Sequence, residues 1–225
     1  MSNNIPDFNQ SKLKIAFIKA DISDVQNELV NWQTPLVKKH NNSLSLERIN
    51  GNFNSAYEKL FPLTTVEIRR YIILPTMSQW VGIMDNSSIG TDRTCPFVLA
   101  ERLKTEHIFM FYNKISEECL IDYFDFIENE LTLIRTVGVT KENGWKFHQY
   151  GKPLGFEQTE NYSNKVVKSR FKFNQLDLFL QYFGINAFKE NYYMPENSAV
   201  LIKKAGPLFP ATREIAFEEF KLKNL

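Results

Sequence analysis

Cysteine is nearly absent from this chain of 225 residues: Cys95 and Cys119 are the only two, far apart and outside any C-x-x-C spacing. A disulfide scaffold and a cysteine zinc site are excluded, and a reduced, cytoplasmic setting is the expectation. Long hydrophobic runs are missing too. Stretches such as Tyr71-Ile72-Ile73-Leu74 fall far short of the roughly 20 apolar residues that cross a bilayer. Met1 to Asp7 holds no basic region leading into an apolar one, so no secretory signal is expected. Nor is charge of one sign in excess. The net of +1 argues against a surface that tracks nucleic acid throughout.

Signature motifs are equally scarce. There is no G-x-G-x-x-G for a dinucleotide, no phosphate loop, no G-x-S-x-G nucleophile elbow and no H-E-x-x-H zinc pair. The commoner enzyme classes lose support, and no cofactor or metal is called for.

What the chain does have is aromatic mass. Phenylalanine occurs 19 times, and 43% of residues are hydrophobic, enough for a substantial core. Trp145 to Tyr150 alternates with period two between Gly144 and Gly151, which predicts a strand. Further strands are expected at 13–19, 66–74, 79–84, 106–112, 120–127, 131–139, 166–173 and 199–202. Helices are expected from Asp21 or Ser23 to Thr34-Pro35, over 55–60, from Pro96 to Leu103, from Asn174 to Phe183 and over 214–220. Asn-rich residues 38–54 read as loop. The expectation is one α+β domain over 1–225, with a mainly antiparallel sheet, a meander through roughly 66–150 and flanking helices; residues 1–11 read as a loose lead-in.

Charge is uneven locally. Glu117 to Glu130 carries six carboxylates and no cation, interleaved with large apolar groups. Asp122, Tyr123, Asp125, Phe126, Glu128 and Glu130 would make a site for a protein partner with a basic surface, the aromatics as anchors and the acids as steering charges. The plainer alternative is a solvated sheet face whose acids pair with Lys168, Arg170 and Lys172. Those cations belong to a basic segment, 165–172, that offers a nucleic-acid reading weakened by Phe171 and Phe173 lying on the opposite strand face.

The loop 85–93 is the candidate small-ligand site, with Asp85, Asn86 and Asp92 as oxygen donors, although ordinary turns use the same residues and no EF-hand spacing is present. His107 and His148 fall in predicted strands, where a carboxylate such as Glu106, Glu157 or Asp92 would let one act as a general base.

In general character (mid-sized α+β, aromatic-rich, near-neutral, locally acidic, without catalytic signatures) the chain resembles immunity proteins of bacterial toxin systems, although no motif carries the likeness. The resemblance implies a non-enzymatic inhibitor that blocks a basic toxin through the acidic-aromatic segment. A small-ligand-binding protein or enzyme with a site near the 85–93 loop is the alternative, and nucleic-acid binding the second.

Overall fold

The computed structural model describes residues 12–88, 92–194 and 196–224, with side chains as far as residue 220. The expected lead-in lies outside them. Strands are β1 (Lys12–Lys19), β2 (Ser43–Asn50), β3 (Leu63–Thr64), β4 (Arg70–Leu74), β5 (Trp80–Asp85), β6 (His107–Asn113), β7 (Glu118–Ile127), β8 (Glu130–Lys141), β9 (Trp145–Tyr150), β10 (Ser198–Ala205) and β11 (Glu214–Ile215). Helices are α1 (Ile22–Lys39), α2 (Phe53–Glu58), α3 (Thr94–Leu103), α4 (Phe173–Tyr182) and α5 (Phe217–Asn224). Nine strands form one antiparallel sheet in the order β2-β10-β4-β5-β1-β6-β7-β8-β9; β3 and β11 pair separately. This is the expected α+β class with a mainly antiparallel sheet.

The expected meander is split by β1, which sits at its centre between β5 and β6. Alternation along β1 assigns the two faces. Leu13, Ile15 and Phe17 join a large core with Phe53 and Ala56 of α2 and Leu176, Phe179 and Leu180 of α4. Ile18 joins a smaller one with Val25 and Leu29 of α1 and Cys95 and Leu99 of α3. Both cysteines are free and buried.

Four local expectations fail. Helix α1 does not stop at Thr34-Pro35 but carries Pro35 inside it. Thr34 Oγ1 donates to the Val30 carbonyl (2.7 Å), and the stripe Val25, Leu29, Gln33 and Val37 is buried. Packing of that stripe overrides a proline cost of about 3 kcal/mol. Residues 43–50, read as loop, form edge strand β2, paired along its length with β10. The Ser-Leu alternation of 43–46 is short and flanked by Asn41-Asn42 and Asn50-Gly51-Asn52, whose turn chemistry masks it.

Residues 166–173, read as a strand, are instead a 3-10 turn (Val167–Ser169) leading into α4. Their alternation is real but serves a different geometry. Phe171 is buried, while Lys168 and Arg170 lie over the Trp145 and Phe147 rings of β9 at 5.6 and 5.7 Å. At the C-terminal end, Glu214 and Ile215 are strand rather than the start of the last helix.

The crossing from β9 to α4 is held by one ion pair. Arg135 and Glu157 have side chains 0% and 2% exposed. Arg135 Nε donates to Glu157 Oε1 at 2.9 Å and its Nη2 to Oε2 at 2.7 Å, while Nη1 donates to the carbonyls of Tyr150 and Gly151. Glu157 also accepts from the Leu154 N–H and the Tyr162 hydroxyl. Burial raises the Glu157 carboxyl, but the bonds from Arg135, Tyr162 and Leu154 outweigh it and hold the pKa below its ordinary value. Gly151 has φ +74, and a Cβ there would meet the Ile134 carbonyl oxygen, so the turn that delivers its own carbonyl to Arg135 needs glycine.

Replacing Glu157 by Gln strands a buried guanidinium. The expected cost is roughly 3–5 kcal/mol in urea unfolding, and the double change Arg135→Met with Glu157→Leu should cost much less than either single change. A loss below about 1 kcal/mol for Glu157→Gln would show that the pair does not hold this crossing.

Candidate functional site

The start of helix α3 leaves a cavity of about 280 Å³ against strands β6 and β7. The floor is aromatic. Phe124 stacks on His107 (4.4 Å, 9° between planes), and Phe97 of α3 meets Phe124 edge-on at 5.8 Å. A bulge re-aims the strand here: Tyr123 pairs with Arg135 but Phe124 with Leu133, which leaves Ile134 opposite no residue.

Arg93 forms the rim. Its guanidinium lies 4.5 Å from the centroid of Phe109, and its Nη1 donates to Asp122 Oδ2 at 2.8 Å. Asp122 Oδ1 accepts from Thr136 Oγ1 at 2.8 Å. Burial pushes the Asp122 carboxyl above its ordinary value, against the pull of Arg93 and Thr136.

His107 is the anomaly. It is 1% exposed, and neither ring nitrogen has a hydrogen-bond partner. Buried polar atoms in folded proteins almost always find partners, so an imidazole left without any on a cavity wall is a marked group. Burial, with Arg93 adding repulsion, lowers its pKa to about 3. The ring is therefore neutral near pH 7, with one donor and one acceptor.

The acidic segment is divided by the fold. Asp122 and Tyr123 are buried, so neither belongs to an outer surface; Tyr123 donates its hydroxyl to Glu106. Asp125 and Phe126 are half-buried, and Asp125 Oδ1 accepts the Phe126 N–H. Glu128 and Glu130 are exposed at the hairpin tip, beside an exposed Ile127.

The basic segment is partly tied down. Lys168 pairs with Glu117, and Arg170 Nε donates to the Asn164 carbonyl. None of the three carboxylates expected beside a strand histidine faces one; Asp92 accepts the Thr94 N–H instead. Glu106 bonds Lys19 and Tyr123, and Glu157 bonds Arg135. His148 bonds Thr140 on β8.

In the 85–93 loop, residues 89–91 lie outside the described residues. The donors around them turn inward. Asp85 is 6% exposed and accepts the N–H groups of Ser87 and Asp92, and burial raises its carboxyl to about 6. Asn86 is fully buried; Oδ1 accepts from the Arg69 and Arg70 N–H groups and Nδ2 donates to the Pro62 carbonyl. Asp92 Oδ1 accepts the Thr94 N–H at the start of α3. These bonds are those of a braced turn. Among the described residues no group of three or more His, Cys, Asp and Glu is placed to hold a metal ion, and no helix is long and apolar enough to cross a membrane.

Sequence reasoning missed Arg93, Phe97, Phe109 and Phe124 as lining residues. The available signal was His107 itself, the one polar residue at the head of His-Ile-Phe-Met-Phe. No protein family, curated protein or solved structure matches this chain.

The His107 environment sets a pH response. Unfolded, the imidazole takes a proton below about 6.5; folded, it resists until about 3, so its contribution to stability is lost as pH falls through that window. Asp85 acts oppositely, because its folded carboxyl takes a proton first as pH drops past about 6. In urea unfolding, His107→Phe should gain stability relative to wild type steadily from pH 7 to pH 4 (values on the order of the ordinary titration range). Parallel profiles would show that the imidazole is protonated inside the fold.

Proposed function

We propose that this protein binds a small molecule in the cavity between α3 and strands β6 and β7. The observation that carries the reading is His107, buried on the cavity wall with both ring nitrogens unpartnered. A neutral imidazole there supplies one donor and one acceptor, and the flat rings of Phe109 and Phe124 favour a planar ligand. The volume of about 280 Å³ fits a small ring system and little more. Arg93 at the rim adds a positive charge, which favours a ligand edge that accepts. The reading corresponds to a site near the 85–93 loop, displaced to the residue that ends it.

The test is a fragment screen by protein-observed NMR, counting compounds that shift the His107 and Phe124 resonances. Planar heteroaromatic fragments should bind wild type and weaken roughly tenfold in His107→Phe, since each buried hydrogen bond lost is worth on the order of 1 kcal/mol. Arg93→Met should weaken those with an acceptor edge. A screen in which no fragment perturbs these residues, or in which binding is unchanged in His107→Phe, would remove the reading.

A second reading keeps a protein partner with a basic surface, of the immunity-inhibitor kind, and rests on the hairpin tip. Ile127 is 43% exposed and is flanked by exposed Glu128, Asn129 and Glu130. An apolar group ringed by acids suits a basic contact. Affinity capture from the host should then retain a basic protein at low salt, and the change Glu128→Lys with Glu130→Lys should release it. Retention by the reversed tip would exclude this contact.

A further inference from the structure

The opposite side of the α3 start opens on a second cavity, of about 520 Å³, shared by α1, β10 and the chain before β4. Two of its wall groups are unexplained by the fold. Gln33 is 2% exposed, yet its Oε1 accepts no hydrogen bond. It interrupts the buried stripe of α1 between Leu29 and Val37, where an apolar residue would pack without loss. Lys204 stands on the same wall with its ammonium 5.7 Å from the centroid of the Tyr71 ring. Among the described residues no carboxylate lies within ion-pair distance of it. Glu67 and Asp92 act on it only from a distance, and Glu67 is bonded to Arg69 instead.

We propose that this cavity is a binding site for a free α-amino acid with an apolar side chain, separate from the site lined by His107. Each wall group selects for one part of such a molecule. The Lys204 ammonium calls for an anionic acceptor, which a carboxylate supplies. Gln33 Oε1 calls for an N–H donor, which an ammonium supplies. Asp92, also on the wall, has one oxygen on the Thr94 N–H and adds negative charge that favours the same ammonium. Trp32, Val66 and Ile68 complete the lining with apolar surface for the side chain. A plain carboxylic acid would leave Gln33 without a donor, and a plain amine would set a second cation against Lys204. A phosphate ester would place its multiple charges beside Asp92.

The test titrates leucine, isoleucine, valine, phenylalanine and tryptophan, each as the free L-amino acid, into the full chain by calorimetry. At least one should bind. Its analogue without the amino group and its analogue without the carboxylate should each bind about tenfold or more weakly, the discrimination expected when a site's buried polar group is left unpaired. Lys204→Met and Gln33→Leu should each abolish binding, Lys204→Arg should restore it, and His107→Phe should leave it unchanged. Thermal unfolding of every variant separates loss of the site from loss of the fold. The proposal is overturned if none of the five binds wild type, if the stripped analogues bind equally well, or if binding survives in folded Lys204→Met or Gln33→Leu.

Discussion

A guanidinium cut off from water must find every partner inside the protein, and Arg135 does so by drawing together parts of the chain that share no secondary structure. It sits on β8, takes two carbonyls from the end of β9 and clamps Glu157 beyond the turn. The segment that follows is consequently laid back under the sheet rather than away from it. Phe156 then reaches Phe179 and Phe183, and Phe171 enters the large core. Helix α4 depends on that return, because its inward residues pack on a face that the crossing has to bring within reach. The pair is a poor source of net stability compared with apolar packing, and its value lies in admitting a single path for the chain.

The start of α3 has a different role. Thr94 lines a cavity on either side of it, one aromatic with a neutral imidazole and one mixed with a lysine and an amide. Both carry a polar side chain where the local pattern calls for an apolar one: His107 at the head of a buried strand, Gln33 in the buried stripe of a helix. Such departures cost stability unless something pairs with them. The residues that brace the turn between the cavities, Asp85 and Asn86, are fully occupied with backbone.

Much of the sheet was legible because its strands alternate cleanly; Trp145–Tyr150 matches its expected bounds, and 107–113 and 118–127 shift by only one or two residues. Helix α3 was marked by Pro96 in its first turn. What escaped were features decided at a distance. Proline inside α1 is tolerated because a buried stripe outweighs a local penalty, and β2 is a strand only because β10 is there to pair with it. The site was harder still. Asp122 reads as surface charge in a run of acids, and only the register of β6 with β7 and the placement of Arg93 reveal it as a buried acceptor. Gln33 and Lys204 lie on different elements, and nothing in their sequence positions joins them.

The central place of β1 has a consequence for how this chain is made. Strand β1 precedes both of its partners in the chain and must wait for β5 and β6, since Ala16 lies opposite Ile83 on one side and Phe109 on the other. Until β6 emerges, a strongly apolar segment has neither neighbour on that side, and the two halves of the sheet have no shared spine. Long-range pairing of this kind slows folding and lengthens the time for which sticky backbone edges are open. Strand β1 is therefore the segment whose edges stay open while both of its neighbours, β5 and β6, are still being made.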